Sequence, residues 1–280
     1  MILVHGLKQH MARWFPEWLD VRAKMWLRER QAASEFNYYR GADLRYTLSS
    51  GLELRVRSRA EWCTFTDIFV GGIYDAAIRA ALASANPDRP FYVLDLGANV
   101  GHFALRFLDF AVHHQQQVGF PIRLFMVEPS PGVMRELQAR LTLQVPPNVT
   151  LQFASGLAGK RSGSAYLHES SFHIGNSLNH DHYKKKILVP YVDLEELTRP
   201  AESIDLLKCD VEGAELAFLE NYPALLDKVN VGAMELHHNL CDTHRCRELL
   251  IQHSFVPSSL RQTQWFDEIW FQRDRLAGET

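Results

Sequence analysis

Cysteine is scarce: four residues in 280, Cys63, Cys209, Cys241 and Cys246, are too few and too scattered to staple a small fold. Free thiols suit a reducing compartment, so a cytoplasmic protein is expected. Glycine (16) and proline (12) are also sparse, which excludes collagen-like and low-complexity chains. Long hydrophobic runs are missing too. The longest uncharged stretch, 141–159, contains Gln144, Pro146, Pro147, Asn148, Thr150 and Gln152, which would leave polar groups unpaired in lipid. Met1–Leu7 offers only four apolar residues before His5, short of a secretory core. Nor is there an excess of basic charge: 30 Lys and Arg against 33 Asp and Glu give a net charge of −3, which removes the general attraction on which nucleic-acid binding relies. Neither a nucleic acid nor a membrane is the expected partner.

With 46% apolar and 22% charged residues, the composition is that of an ordinary globular chain, long enough for one large domain with a small appendage. The appendage is N-terminal. Trp14, Phe15, Trp18, Leu19, Met25, Trp26 and Leu27 recur at helical spacing among basic residues. Glu17, Asp20 and Glu29 dilute the basic face, so packing on the chain's own domain or on a second subunit is favoured over a membrane surface, and a homodimer is reasonable. Tyr46–Arg57 alternates around Ser49-Ser50-Gly51 and predicts a short hairpin.

From Phe91 onward strands alternate with helices. Phe91–Leu96, Ile122–Val127, Val149–Phe153, Ile204–Cys209 and Val229–Leu236 read as strands; His102–Val112, Ser130–Leu143, Ala214–Glu220 and Asp242–His253 read as helices. That rhythm predicts an α/β fold with a parallel sheet. Val256–Gln262 and Glu268–Gln272 have no helix between them, so they should close the sheet as an antiparallel pair.

Three motifs sit where such strands end. Asp95-Leu-Gly97-Ala98-Asn99-Val-Gly101 lies between a strand and a helix, where glycines allow close backbone approach and a helix N-terminus favours an anionic group. It is not the G-x-G-x-x-G of a dinucleotide site. Glu128, followed by Pro129 at the next strand's tip, is placed to accept hydrogen bonds from ribose hydroxyls. Asp210 and Glu212, in Leu207–Glu215, should face the same crevice, whereas Glu215 is read as complementing a helix N-terminus.

Taken in order, these residues resemble the FkbM-type S-adenosylmethionine-dependent methyltransferases: the D-x-G-A-N-x-G loop at Asp95–Gly101, Val127–Pro131, Val192–Leu194, Leu207–Glu215 and Met234–His237, with Phe65–Phe69 and Tyr74 ahead of the first strand. The resemblance spans about Thr64 to His237. It implies a Rossmann-like seven-stranded class I methyltransferase sheet with an antiparallel last hairpin in residues 61–280, behind a helical extension and hairpin in 1–60. It further implies S-adenosyl-L-methionine as cofactor. Gly97, Asn99 and Gly101 would hold its methionine part, Glu128 its ribose and Ser155-Gly156 its adenine, with Asp95, Ala98, Pro129 and Asp210 in the same site. The family methylates hydroxyls of small metabolites, so O-methylation of a secondary metabolite or sugar-like acceptor is expected; N- or C-methylation, a nicotinamide-dependent oxidoreductase and a non-catalytic nucleoside-binding module are the alternatives. The chain departs from the family pattern in its N-terminal helix and in Ala154–Lys160, which lacks an acid after the third strand.

A hydroxyl acceptor must lose a proton, and His237, with Asp210 and Glu212 orienting, is the expected base. His237, His238, Cys241, His244 and Cys246 could in principle bind zinc, but their spacing fits no standard site. Asp210 with Glu235 or His237 could hold magnesium, though no full oxygen set is visible. No metal is therefore assigned. The long His168–Lys186 connection could be a substrate loop or a solvated turn, and the aromatic Trp62–Tyr74 stretch could line the substrate pocket or pack into the core.

Overall fold

The computed structural model describes residues 34, 37–39, 41–115, 119–169 and 185–274. The Trp-rich helix expected before residue 34 and most of the His168–Lys186 connection lie outside the described residues. The first pairing is a hairpin of β1 (Leu44–Thr47) with β2 (Glu53–Val56). Its turn is anchored from a distance: the Ser50 N–H donates to Asp109 Oδ1 at 2.9 Å. Ser58 then caps α1 (Arg59–Phe65), which runs directly into a π-helical turn over Thr66–Val70. Next comes α2 (Asp75–Ala83), which buries Ala77, Ile78, Ala81 and Leu82. The sequence reading assigned neither of these two short helices, although Trp62, Phe65 and Phe69 and then Ala77, Ile78 and Ala81 recur at helical spacing.

The regular alternation follows as β3 (Phe91–Leu96), α3 (His102–Gln115), β4 (Ile122–Glu128), α4 (Pro131–Leu141) and β5 (Val149–Ser155). A separate antiparallel pair, β6 (Ser164–Glu169) with β7 (Lys185–Pro190), brackets the long connection. Then come α5 (Leu194–Leu197), β8 (Ile204–Cys209), α6 (Glu215–Asn221), α7 (Pro223–Leu226), β9 (Val229–His237), α8 (Thr243–Gln252), β10 (Phe255–Gln262) and β11 (Phe266–Arg273). Strand order in the main sheet is β10-β11-β9-β8-β3-β4-β5. β3, β4, β5, β8 and β9 pair in parallel, and β11 is antiparallel to both β9 and β10.

Every residue of β3 and β8 is buried, as central strands covered on both faces require. Alternation along β3 divides the core. Phe91 and Val93 pack on one face with α2 and α3, whereas Tyr92, Leu94 and Leu96 pack on the other with α6 and α8. The chain winds outward from β3 to β5 and then crosses back to β8, so the topological switch point lies between β3 and β8. Ligands of open α/β sheets bind beyond the carboxyl ends of the strands there. Among the described residues no helix is long and apolar enough to cross a membrane.

Insertion of β11 depends on one glycine. Gly232 on β9 pairs with Phe271 on β11, and a Cβ at Gly232 would lie 2.2 Å from the Phe271 ring. Gly232→Ala should cost about 1–3 kcal/mol by overpacking, measured as a lower urea midpoint. Adding Phe271→Leu should return part of that loss; strictly additive losses would show that the ring is not what the new methyl meets.

Candidate active site

β3 and β8 are pressed together at their carboxyl ends. Gly97, at φ +75°, has the carbonyl oxygen of Asp210 where a Cβ would stand, 1.9 Å away. Asn99 and Gly101 also take left-handed backbone, at φ +48° and +89°. The N–H groups of Gly97 and Ala98 both donate to Val127 O at 3.0 Å, and that of Gly101 to Ala98 O at 3.0 Å. Asn99 N–H goes to Glu128 Oε2 at 3.0 Å and Val100 N–H to Asn99 Oδ1 at 2.8 Å. Each amide from Gly97 to Gly101 therefore has a partner inside the protein. The loop offers a ligand its shape and its close backbone rather than the row of open amides the sequence suggested.

Glu128, only 5% exposed, is the keystone of that arrangement. One oxygen accepts the Asn99 N–H, and the other accepts the Ser130 N–H at 2.9 Å. Burial pushes its carboxyl up to about 7, against the smaller opposing effect of the two backbone hydrogen bonds. Each oxygen retains accepting capacity beyond its single N–H.

Across the switch point, the buried Lys208 ammonium donates to Leu96 O at 3.2 Å and Gly97 O at 2.5 Å. It also stands 3.5 Å from Asp95 Oδ1 and 3.7 Å from Asp210 Oδ2. Burial alone would lower its pKa; the charges of Asp95 and Asp210 outweigh that and raise it. Asp95 is fully buried, and burial lifts its carboxyl to about 6 against the pull of Lys208.

The third group surrounds His237 at the end of β9. Its Nδ1 lies 2.9 Å from Glu215 Oε1, which also accepts the Gly213 N–H at 3.0 Å. Its Nε2 faces Glu212 Oε2 and Glu235 Oε1, both at 3.4 Å. Burial by itself would lower the imidazole pKa, but the contacts with Glu215, Glu235 and Glu212 override it and push it up to about 12. Burial, and then the neighbouring Asp210 charge, raises Glu212 well above the carboxylate range and Glu235 to about 7. A pKa raised this far favours the charged ring, which counts against His237 as the base expected from the sequence.

Gly97, Ala98, Asn99, Glu128, Pro129, Asp210, Glu212 and His237 all line one cavity of about 930 Å³. Four other expected residues do not. Asp95 is sealed beneath it behind Lys208. Gly101 makes room for Leu137 of α4, which a Cβ would meet at 2.8 Å. Ser155 ends β5 and is exposed, and Gly156 packs on Val192 and Pro190. The apolar wall on that side is Leu157, Ala158 and Leu167. The zinc-like set is not assembled: His244 is exposed, Cys246 is in the core and His238 meets Asp267.

Lys208 was not singled out by the sequence reading, which took Glu215 as complementing a helix N-terminus and Glu235 only as a possible magnesium ligand. For Glu215 a signal existed: it shares the spacing of Phe218, Leu219 and Tyr222, all buried, which puts an acid on the core face of α6. The far wall of the cavity, including Asp67, Arg261 and Trp265, comes from segments too distant in sequence to be connected by inspection. Arg261 reaches Asp67 at 3.1 Å across it.

A seven-stranded sheet of this order, with β11 inserted antiparallel and a glycine loop and two acidic strand tips at the switch point, defines the class I methyltransferase fold. The profile of the methyltransferase FkbM domain matches residues 95–258, and the chain belongs to that family. No curated protein is significantly similar in sequence. Similar solved structures include the methyltransferase FkbM from Methylobacillus flagellatus KT, at 16% identity over 74% of this chain and 60% of that one, TM-score 0.44. Precorrin-6y C5,15-methyltransferase from Geobacter metallireducens GS-15 is similar at 12% identity over 71% and 87%, TM-score 0.40. Aeropyrum pernix fibrillarin, solved with natively bound S-adenosyl-L-methionine, is similar at 14% identity over 70% and 73%, TM-score 0.36.

Two measurements test the site. Gly97→Ala places a methyl onto the Asp210 carbonyl, so it should separate the β3 and β8 tips and abolish binding of S-adenosylhomocysteine by calorimetry; retained affinity would show that the contact is dispensable. Glu128 gives a signed pH dependence. Its carboxyl is raised from 4.5 to about 7, so between those values the unfolded chain releases a proton that the fold retains. Native stability from this group therefore falls as pH rises, by up to about 3 kcal/mol. Glu128→Gln has no such slope. Its unfolding free energy relative to wild type should improve from pH 5 to pH 8, whereas parallel curves would mean the carboxyl is not desolvated.

Proposed function

We propose that the chain is an S-adenosyl-L-methionine-dependent O-methyltransferase acting on a hydroxyl of a small, secondary-metabolite or sugar-like acceptor. The observation that supports it best is the convergence of the Gly97–Asn99 loop, Glu128 and Asp210 on the cavity that also holds Glu212, Glu235 and His237. The lining suits the cofactor. Glu128 can accept from ribose hydroxyls, Leu157, Ala158 and Leu167 form an apolar wall for a base, and the acids around Asp210 complement an ammonium and a sulfonium. Gly97, Ala98, Asn99 and Asp210 would lie along the methionine part, with Pro129 beside the ribose.

When bound, the cofactor supplies a methyl group that is already strongly electrophilic. What remains for the protein is to align the acceptor, exclude water and take a proton. Asp210 and Glu235, beside the His237 ring on the acceptor side, are the groups proposed to receive it, with Glu212 orienting the acceptor. Glu215 holds the His237 ring so that its Nε2 stays turned toward those carboxylates.

Calorimetric titration with S-adenosylhomocysteine and, separately, with NAD tests the reading. Saturable binding of the first and none of the second is expected, followed by a product 14 mass units heavier than an accepted hydroxylated substrate. Binding of NAD alone would replace the reading with an oxidoreductase, and cofactor binding without methyl gain on any acceptor would favour a non-catalytic module.

A further inference from the structure

Ligand atoms of Asp210, Glu212 and His237 all lie within 4.8 Å of one another. Ligand bonds of about 2.1 Å would span that gap after a few tenths of an ångström of side-chain movement. The set is mixed, two carboxylates and an imidazole, and Glu235 Oε1 adds a third carboxylate 3.4 Å from His237 Nε2.

A second observation comes from the imidazole itself. His237 is only 8% exposed. Its Nδ1 is committed to the fully buried Glu215, which the Gly213 N–H holds in turn. Its Nε2 points into the carboxylate group, 3.4 Å from both Glu212 Oε2 and Glu235 Oε1. A buried ring fixed through Nδ1 by a carboxylate, with Nε2 presented to further carboxylates, is how metal-ligating histidines are oriented. Asp95 and Asp210 flank Lys208 on one side of the site, and Glu212, Glu215 and Glu235 surround the His237 ring on the other.

We propose that Asp210, Glu212 and His237, with Glu235 beside them, form a site for one first-row divalent cation on the acceptor side of the cavity. One nitrogen with two or three carboxylate oxygens suits Mn2+ or Zn2+ better than an all-oxygen ion such as Ca2+. Three or four protein ligands leave open positions facing the cavity, so the site selects an acceptor with two neighbouring oxygens, such as vicinal hydroxyls or a hydroxyl beside a carbonyl. That role in acceptor selection rests on the methyltransferase reading; the binding of the ion does not.

The test uses the full chain after chelator dialysis, with Mn2+ as probe. Loss of the free-ion paramagnetic resonance signal should report one Mn2+ per chain, and added Mn2+ should raise the melting temperature of the wild-type protein. His237→Ala and Asp210→Asn should each weaken Mn2+ at least tenfold, and Glu215→Gln, which only loosens the ring, should weaken it by about tenfold. Affinity of His237→Ala for S-adenosylhomocysteine should stay within a few-fold. No Mn2+ uptake at millimolar concentration, or equal uptake by wild type and His237→Ala, overturns the site while leaving the methyltransferase reading intact. Mn2+ binding with no S-adenosylhomocysteine binding keeps the ion site and removes that reading. Because the wild-type melting shift needs no substitution, a variant that fails to fold does not remove the test.

Discussion

The contact between the Gly97 backbone and the Asp210 carbonyl sets the geometry of everything around it. With no Cβ at residue 97, the tips of β3 and β8 approach until one carbonyl occupies the space a side chain would need. Lys208 then clamps the junction by donating to Leu96 and Gly97 from the neighbouring strand. Its charge is retained in the interior because Asp95 and Asp210 flank it. Loop, lysine and acids thus form one unit: alter the spacing of the strand tips and the hydrogen bonds on both sides of the switch point change together.

On either side of that junction the chain places acids whose burial raises their pKa values. Glu128 tolerates its position because two backbone N–H groups point at it. The group around His237 is held differently, by an imidazole ringed with carboxylates. Both arrangements leave negative potential in a cavity with an apolar wall. Low dielectric amplifies such potential, so the site favours ligands carrying positive charge next to a flat apolar group. A sulfonium attached to a nucleoside has that character.

Much of this was legible in the sequence, for physical reasons that differ by element. β3, β4, β8 and β9 were readable because burial on both faces demands continuous apolar runs, the edge strand β5 from its alternating pattern, and the closing antiparallel pair because no helix separates its strands. Gly97, Glu128 and Asp210 were readable because strand tips in such a sheet must face one crevice. The carboxylate setting of His237 was not. It depends on Glu215 lying on the inner face of a short helix and on Glu235 two residues upstream in β9, so identifying a histidine at a strand end says nothing of what surrounds it. Ser155 and Gly156, expected beside the adenine, are not in the cavity lining, since Ser155 is exposed and Gly156 is packed against Val192, and Leu157 and Ala158 face the cavity next to them. Helices α1 and α2 were passed over because both are short, at seven and nine residues, although their apolar residues recur at helical spacing.

The direction of β11 also decides where the acceptor side lies. A parallel final strand would have returned the chain to the amino ends of its neighbours, far from the chemistry. Because β11 runs antiparallel, its first residue, Phe266, pairs with His237, the last residue of β9. The β10–β11 turn is therefore delivered to the carboxyl end of the sheet, and Thr263, Gln264 and Trp265 join the cavity lining there. From the same hairpin Arg261 reaches across to Asp67 in the π-helical turn, while Glu268 holds the guanidinium from β11. The cavity is thus walled by the first and last parts of the described fold. The parallel strands between them supply the cofactor side, and the inserted strand, by its direction alone, supplies the roof over His237.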